Sequence, residues 1–262
     1  MKLAPATGHP GTVIAQLAAR RNLQLRRTPA AIIPTVAMPV FFLVAFSGSF
    51  RAITNVPGFP TDQILNWMAP YAVVQGAAFA GVGVGFAVAR DLETGFYNRV
   101  LLTPAPRLAV MLGPVINAAF RTSLPFVAVV GLALGFGARP DNWAAAFVSL
   151  AAASVGVAVA ASLWGLAVVY RIRSQQAGPL IQVGVFVTLF LSIGQVPLAV
   201  MTGWLHALAR VNPATNILRL ARQGWIGDPT WSRTWPGLVA IAALTVLLGI
   251  YALRGFLALN DE

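Results

Sequence analysis

Apolar runs of bilayer length leave this chain few choices of fold. Residues 31–50, 68–89, 143–169, 176–196 and 236–253 carry no charged side chain, and 111–136 carries only Arg121. A helix of about 20 apolar residues crosses the roughly 30 Å hydrocarbon core of a membrane. Each run therefore reads as a span, and the expected fold is an all-α polytopic membrane protein with six transmembrane helices. The balance of 58% hydrophobic to 10% charged residues over 262 positions excludes an ordinary soluble domain.

The charges predict how the spans are threaded. Seventeen Arg and one Lys against seven acids give a net +11, which suits basic loops beside anionic lipid better than nucleic-acid binding. The first 30 residues hold Lys2, Arg20, Arg21, Arg26 and Arg27 without an acid, so 1–30 is expected to be a basic cytoplasmic segment rather than a cleaved signal peptide. Within it, 13–25 has an imperfect apolar stripe that fits either an interfacial helix or a basic tail. Residues 31–262 then form the membrane domain. Six spans return both termini to one side, together with Arg90, Arg99, Arg107, Arg171, Arg173 and Arg254. The loops with Arg51 and Asp62, and with Arg139 and Asp141, are nearly neutral. Trp67 and Trp143 are expected at the outer interface, and Trp164 one hydrocarbon thickness further along.

Arg210, Arg219, Arg222 and Arg233 break this pattern, because the sixth span places them outside. Pro197 divides the long uncharged run before them, so the part holding Trp204 and His206 is expected to dip back as a possible re-entrant piece. Arg219 and Arg222, three apart, are expected to share a helix face. Trp225, Trp231 and Trp235 are expected to anchor the return.

The stretch 90–107, RDLETGFYNRVLLTPAPR, is the one charged segment held between two spans. Asp91 and Glu93 read as the start of a short helix, where acids favour the N-terminal dipole. Phe96, Tyr97, Val100 and Leu101 form an apolar stripe, and Pro104 and Pro106 end it. About three turns of helix are expected, shaped to lie in a groove on another protein.

Catalysis is excluded by inventory. His9 and His206 are the only histidines, and no HExxH, GxSxG triad or paired carboxylates occur. Cysteine is absent, which removes disulfides, thiolate metal sites and a cysteine nucleophile. The only lysine is Lys2, so no Walker A loop exists to hold ATP. Gly81, Gly83 and Gly85 lack phosphate-loop spacing. Ala77, Gly81 and Gly85, like Ala152, Gly156 and Ala160, instead recur every fourth residue, as close helix packing requires. Arg121 lies deep within the third run and is expected to face protein or water. Gln75, Asn117, Gln182 and Gln195 fit either a transport path or single interhelical hydrogen bonds. The spans hold no carboxylate, so a proton-coupled carrier lacks its relay.

Two sets of residues resemble a known family. The order of an acid, Glu93, Thr94 and Gly95, then Leu101 or Leu102, Pro104 and Arg107, resembles the loop after the second span of ABC-2 type exporter permeases. Asn212 and Pro213 with Arg222 nine residues beyond the proline match the segment after the fifth span. In size and loop pattern the chain resembles the daunorubicin-resistance branch. The resemblance implies that Asp91, Glu93, Gly95, Phe96, Tyr97, Pro104 and Arg107 form a coupling helix on an ATP-binding subunit. It also implies gating or pathway roles for Asn212, Pro213, Arg219 and Arg222, with Arg121 beside them. No cofactor is expected in this chain, ATP and Mg being held by the partner. A homodimer or heterodimer of permeases in a bacterial cytoplasmic membrane would export an amphipathic drug or lipid-like compound. A polysaccharide or lipid-linked glycan exporter on the same scaffold, and a channel-like subunit without ATP coupling, stand as alternatives.

Overall fold

The computed structural model describes residues 11–12, 15–16, 18–20, 33–102 and 106–260, and every regular element among them is helical. In order these are α1 (Ile33–Ser49), α2 (Ile64–Glu93), α3 (Phe96–Leu101), α4 (Arg107–Arg121), α5 (Ser123–Gly135), α6 (Trp143–Ile172), α7 (Gly178–Phe190), α8 (Gly203–Val211), α9 (Pro213–Ala221) and α10 (Trp231–Leu257). Four units are long and apolar enough to cross a membrane: α2, α4 with α5, α6, and α10. The other two expected spans form shorter apolar helices, α1 of 17 residues and α7 of 13. Of the expected 13–25 segment, the described residues are helical.

The third span is interrupted at Thr122, between α4 and α5. Pro125 has no amide to give the carbonyl of Arg121, and the Thr122 amide is shared between Ala118 and Ala119 at 3.2 and 3.4 Å. Pro39 and Pro114 are accommodated inside α1 and α4 without ending them.

α2 is the axis of the molecule, its apolar stretch buried almost throughout. Small residues explain how a helix is surrounded so closely where lipid offers no hydrophobic drive. A β-carbon on Gly81 would stand 2.6 Å from the carbonyl oxygen of Ala158 and 2.8 Å from the amide of Ser162, both on α6. One turn on, Gly85 meets Gly165 backbone to backbone, where a β-carbon would be 3.1 Å from Gly165 Cα. The second small-residue series does not form a single seam. Gly156 packs beneath Ile241 of α10, whereas Ala152 is exposed. The three lie along one stripe of α6 that is covered at Gly156 and Ala160 and open at Ala152.

The two ends of α2 are tied by different chemistry. At its start, the Asn66 amide donates to the Arg139 carbonyl at 2.7 Å, and the Arg139 amide returns a bond to Asn66 Oδ1 at 3.0 Å. Gly224, at φ +77°, lies against the first turn of α6, and its carbonyl accepts from the Asn142 amide. At the other end, the Tyr97 and Tyr170 hydroxyls are 2.6 Å apart beside the Phe256 ring.

Candidate functional site

Between α7 and α8 the chain runs through turns from 191 to 202 rather than helix, and carbonyls there need partners from elsewhere. Asn212 supplies one set. Its side-chain amide donates to Thr188 O at 2.7 Å and Leu191 O at 2.8 Å, while its Oδ1 caps α9 by accepting from the Ala214 amide. Pro213 sits in the first turn of α9, where its missing amide costs nothing. Arg222, at the far end of α9, supplies the other set. It donates to Ile193 O at 2.9 Å, Gly194 O at 2.6 Å and Trp67 O at 3.1 Å. The spacing from Asn212 to Arg222 therefore spans a nine-residue helix with a carbonyl clamp at each end. Both clamps close on the unwound end of α7.

Arg222 is 4% exposed and its guanidinium lies 3.4 Å above the Trp67 ring. Trp67 is consequently buried, not at a lipid interface, and its indole donates to Gln195 O. Trp164 likewise donates inward, to Ile181 O. Of the three tryptophans expected to anchor the return, Trp231 and Trp235 are exposed and Trp225 is in the core.

Arg219 points outward, bonded to Asn216 Oδ1 at 3.2 Å, so the two arginines do not share one environment. They meet at the edge and floor of a cavity of about 350 Å³, lined also by Trp67, Pro197, Gln223, Ser232 and Arg233. Arg121 lies apart from this group. Its guanidinium is against Gly83 of α2, turned toward protein as its depth requires. Asn117 donates to Ala18 O at 3.2 Å, a bond to another segment. Gln75 is wholly buried with neither amide atom hydrogen-bonded.

The charged loop is built differently from its sequence expectation. Asp91 and Glu93 end α2 rather than beginning the next helix, and α3 has six residues, under two turns. Acids at a helix C-terminus oppose the dipole, and each is compensated. Arg20 pairs with Asp91 at 3.1 Å, and its Cζ lies 3.6 Å from the Phe96 ring centroid. Gln175 gives Glu93 its amide at 2.7 Å and its side-chain nitrogen at 2.6 Å. Glu93 lies beyond the apolar run that ends at Ala89, and those bonds hold its carboxyl below the usual carboxylate range. Gly95 makes the turn at φ +67°, a conformation that favours glycine.

The aromatic stripe expected to face a partner turns inward: Tyr97 is 3% exposed and Phe96 lies under Arg20. The outward set is Glu93, Thr94, Arg99 and Leu102, the last 87% exposed. Its spacing continues the apolar run of α3, so the sequence alone does not separate exposed Leu102 from the inward stripe. Arg107 opens α4 behind Pro106. Pro104 lies outside the described residues.

This arrangement, long apolar helices around α2 with an unwound segment clamped by polar side chains, defines a polytopic integral membrane protein. The model of the ABC-2 type transporter family matches residues 12–225, and the chain belongs to that family, the membrane components of ABC transporters. It is similar to the daunorubicin resistance ABC transporter permease protein DrrB1 of Streptomyces coeruleorubidus, with 24% identity over 206 residues, 78% of this chain and 71% of that protein. It is also similar to the putative transport permease ycf38 of Porphyra purpurea, 27% over 209 residues, 76% of this chain and 69% of that protein. A ycf38 of Pyropia yezoensis matches at 27% over 216 residues, 80% and 72% of the two chains. The family implies an ATP-binding partner subunit.

Proposed function

We propose that this chain is the permease subunit of an ATP-driven exporter that moves an amphipathic drug or lipid-like compound out across a bacterial cytoplasmic membrane. The observation that carries the cargo class is the similarity to a daunorubicin resistance permease over 78% of the chain. In this reading α1 and α7 complete six spans, residues 1–30 form the basic cytoplasmic segment and 31–262 the membrane domain, and both termini are cytoplasmic. Two permeases, identical or related, enclose the path. A separate subunit binds ATP and Mg. Its push arrives at the loop around α3, where Glu93, Arg99 and Leu102 stand outward on a base of Asp91, Gly95, Phe96 and Tyr97. Rigid shifts of α2 then exchange inward and outward access. The Arg222 clamp carries the unwound end of α7 along with the start of α2, and Asn212, Pro213 and Arg219 belong to the helix that Arg222 closes.

The test is reconstitution with the ATP-binding subunit that co-purifies with it. A fluorescent cationic amphiphile should be moved in proteoliposomes only with ATP and both subunits. Glu93→Gln with Leu102→Ala should leave ATPase activity while lowering transport at least tenfold. Transport without the ATPase, or normal transport by the double variant, overturns the reading.

A further inference from the structure

The 350 Å³ cavity beside Arg222 has a charge pattern that the export reading does not use. Arg219, Arg222 and Arg233 all line it, and none of its other lining residues is acidic. Among the described residues, the only ion pair is the one between Arg20 and Asp91, at the opposite end of α2. Arg219 has only the neutral Asn216 as hydrogen-bond partner, and Arg222 has only carbonyls and the Trp67 ring. Of the acids nearby in sequence, Asp141 accepts from the Gly227 amide and Asp228 from Asn142, while Asp62 is exposed and does not line the cavity. Three cations thus converge on a cavity whose lining holds no acid. Pro60, Ile193, Pro197, Leu198, Ile226 and Pro236 make the remaining walls largely apolar.

Ser232 and Gln223 add short polar groups beside the cations. Further along the same helix as Arg233, Trp235, Leu238 and Val239 are exposed apolar surface. A pocket of this size holds a headgroup or a ring-sized fragment, with the apolar face of α10 left for acyl chain.

We propose that this cavity binds the acidic headgroup, phosphate or carboxylate, of an anionic amphiphile. Arg219 and Arg233 contact the anion from the rim, and Arg222 contributes fixed charge from the floor while its donors hold the backbone. The same chemistry is offered by a resident anionic phospholipid and by an anionic cargo. The site stands independently of how transport is powered, so it is tested without ATP.

The test uses the full chain in a zwitterionic detergent, titrated with dihexanoyl phosphatidylglycerol, dihexanoyl phosphatidylcholine, an alkyl carboxylate of equal chain length, and inorganic phosphate, and read by native mass spectrometry. Phosphatidylglycerol should bind at least tenfold more tightly than phosphatidylcholine. At about 1 kcal/mol per arginine near an anionic headgroup, Arg219→Gln and Arg233→Gln should each weaken it about fivefold, and together about 25-fold. Both side chains are exposed, so the unfolding temperature should not move. Arg210→Gln, outside the cavity, should leave binding unchanged. Carboxylate competing equally well marks an anionic cargo as an occupant, whereas preference for phosphatidylglycerol marks a resident lipid, and either supports the site. Equal binding of the two phospholipids, phosphate binding as tightly as phosphatidylglycerol, or an equal loss from Arg210→Gln overturns it.

Discussion

Arg222 lies over the ring of Trp67, 3.4 Å from its centroid, and donates its Nε to the backbone carbonyl of that same residue at 3.1 Å. One side chain thereby fixes the start of α2 to the unwound turn after α7. Removing a buried charged donor leaves three carbonyls without their partner and a void above an indole. Arg222→Ala should lower stability by about 3 kcal/mol. Arg222→Lys should recover less than half, since an ammonium cannot reproduce the planar fork that reaches Trp67, Ile193 and Gly194 together. Thermal unfolding in detergent checks both, and a lysine variant as stable as the parent would remove the geometric argument.

The contact of α2 with α6 should be sensitive to a single methyl. At Gly81 that methyl would meet backbone atoms of Ala158 and Ser162 within 2.8 Å, and backbone cannot turn aside. Gly81→Ala is expected to cost about 1–3 kcal/mol. Gly131, in α5, has nothing within 4 Å of a β-carbon, so Gly131→Ala should be neutral or stabilising by up to about 1 kcal/mol. Measured side by side, opposite signs at the two glycines distinguish packing from simple helix propensity.

The helices were legible because hydropathy integrates over twenty residues and survives local detail. α6 begins at the expected Trp143, and α2 overlaps its expected run throughout. Facing was not legible, because in a chain this apolar the polar residues that report orientation are too few. Phe96 and Tyr97 have the spacing of a docking stripe. Only the tertiary position of Tyr170 and Arg20, 73 and 76 residues away, shows that the stripe is already covered. The Asn212 to Arg222 spacing was visible in the sequence, yet its meaning depended on where α7 unwinds. Asp91 and Glu93 read in sequence as a helix start although they end α2, because the partners that compensate them there, Arg20 and Gln175, lie far off in sequence.

That inward turn of the stripe separates two effects in the α3 loop. Tyr97 donates to or accepts from Tyr170 inside the core, so Tyr97→Phe should lower stability by about 1 kcal/mol, and Tyr97→Ala by about 3–4 kcal/mol through the cavity it leaves. Leu102→Ala touches no core, and stability should stay within about 0.5 kcal/mol of the parent. If the loop receives the ATPase, Leu102→Ala loses transport without losing stability, while Tyr97→Phe loses stability with transport per folded molecule preserved. Unfolding curves and transport normalised to folded protein resolve the two, and the reverse assignment would move the coupling surface onto the aromatic face.

Twenty-four residues of continuous helix separate Trp67 from Asp91, about 36 Å at 1.5 Å per residue and more than the hydrocarbon core. The Arg222 clamp and the Arg20–Asp91 pair must then lie on opposite faces of the membrane. The chain has no cysteine, so single-cysteine variants report cleanly. Arg99→Cys, exposed beside Asp91's end, should react with an impermeant maleimide only after cells are opened, and Arg210→Cys, exposed on α8 two residues before Asn212, should react in intact cells. Labelling of both positions from one face contradicts the crossing of α2. Labelling of Arg99→Cys from outside and Arg210→Cys from inside keeps the fold but inverts it, placing the α3 loop beyond the reach of any cytoplasmic ATPase.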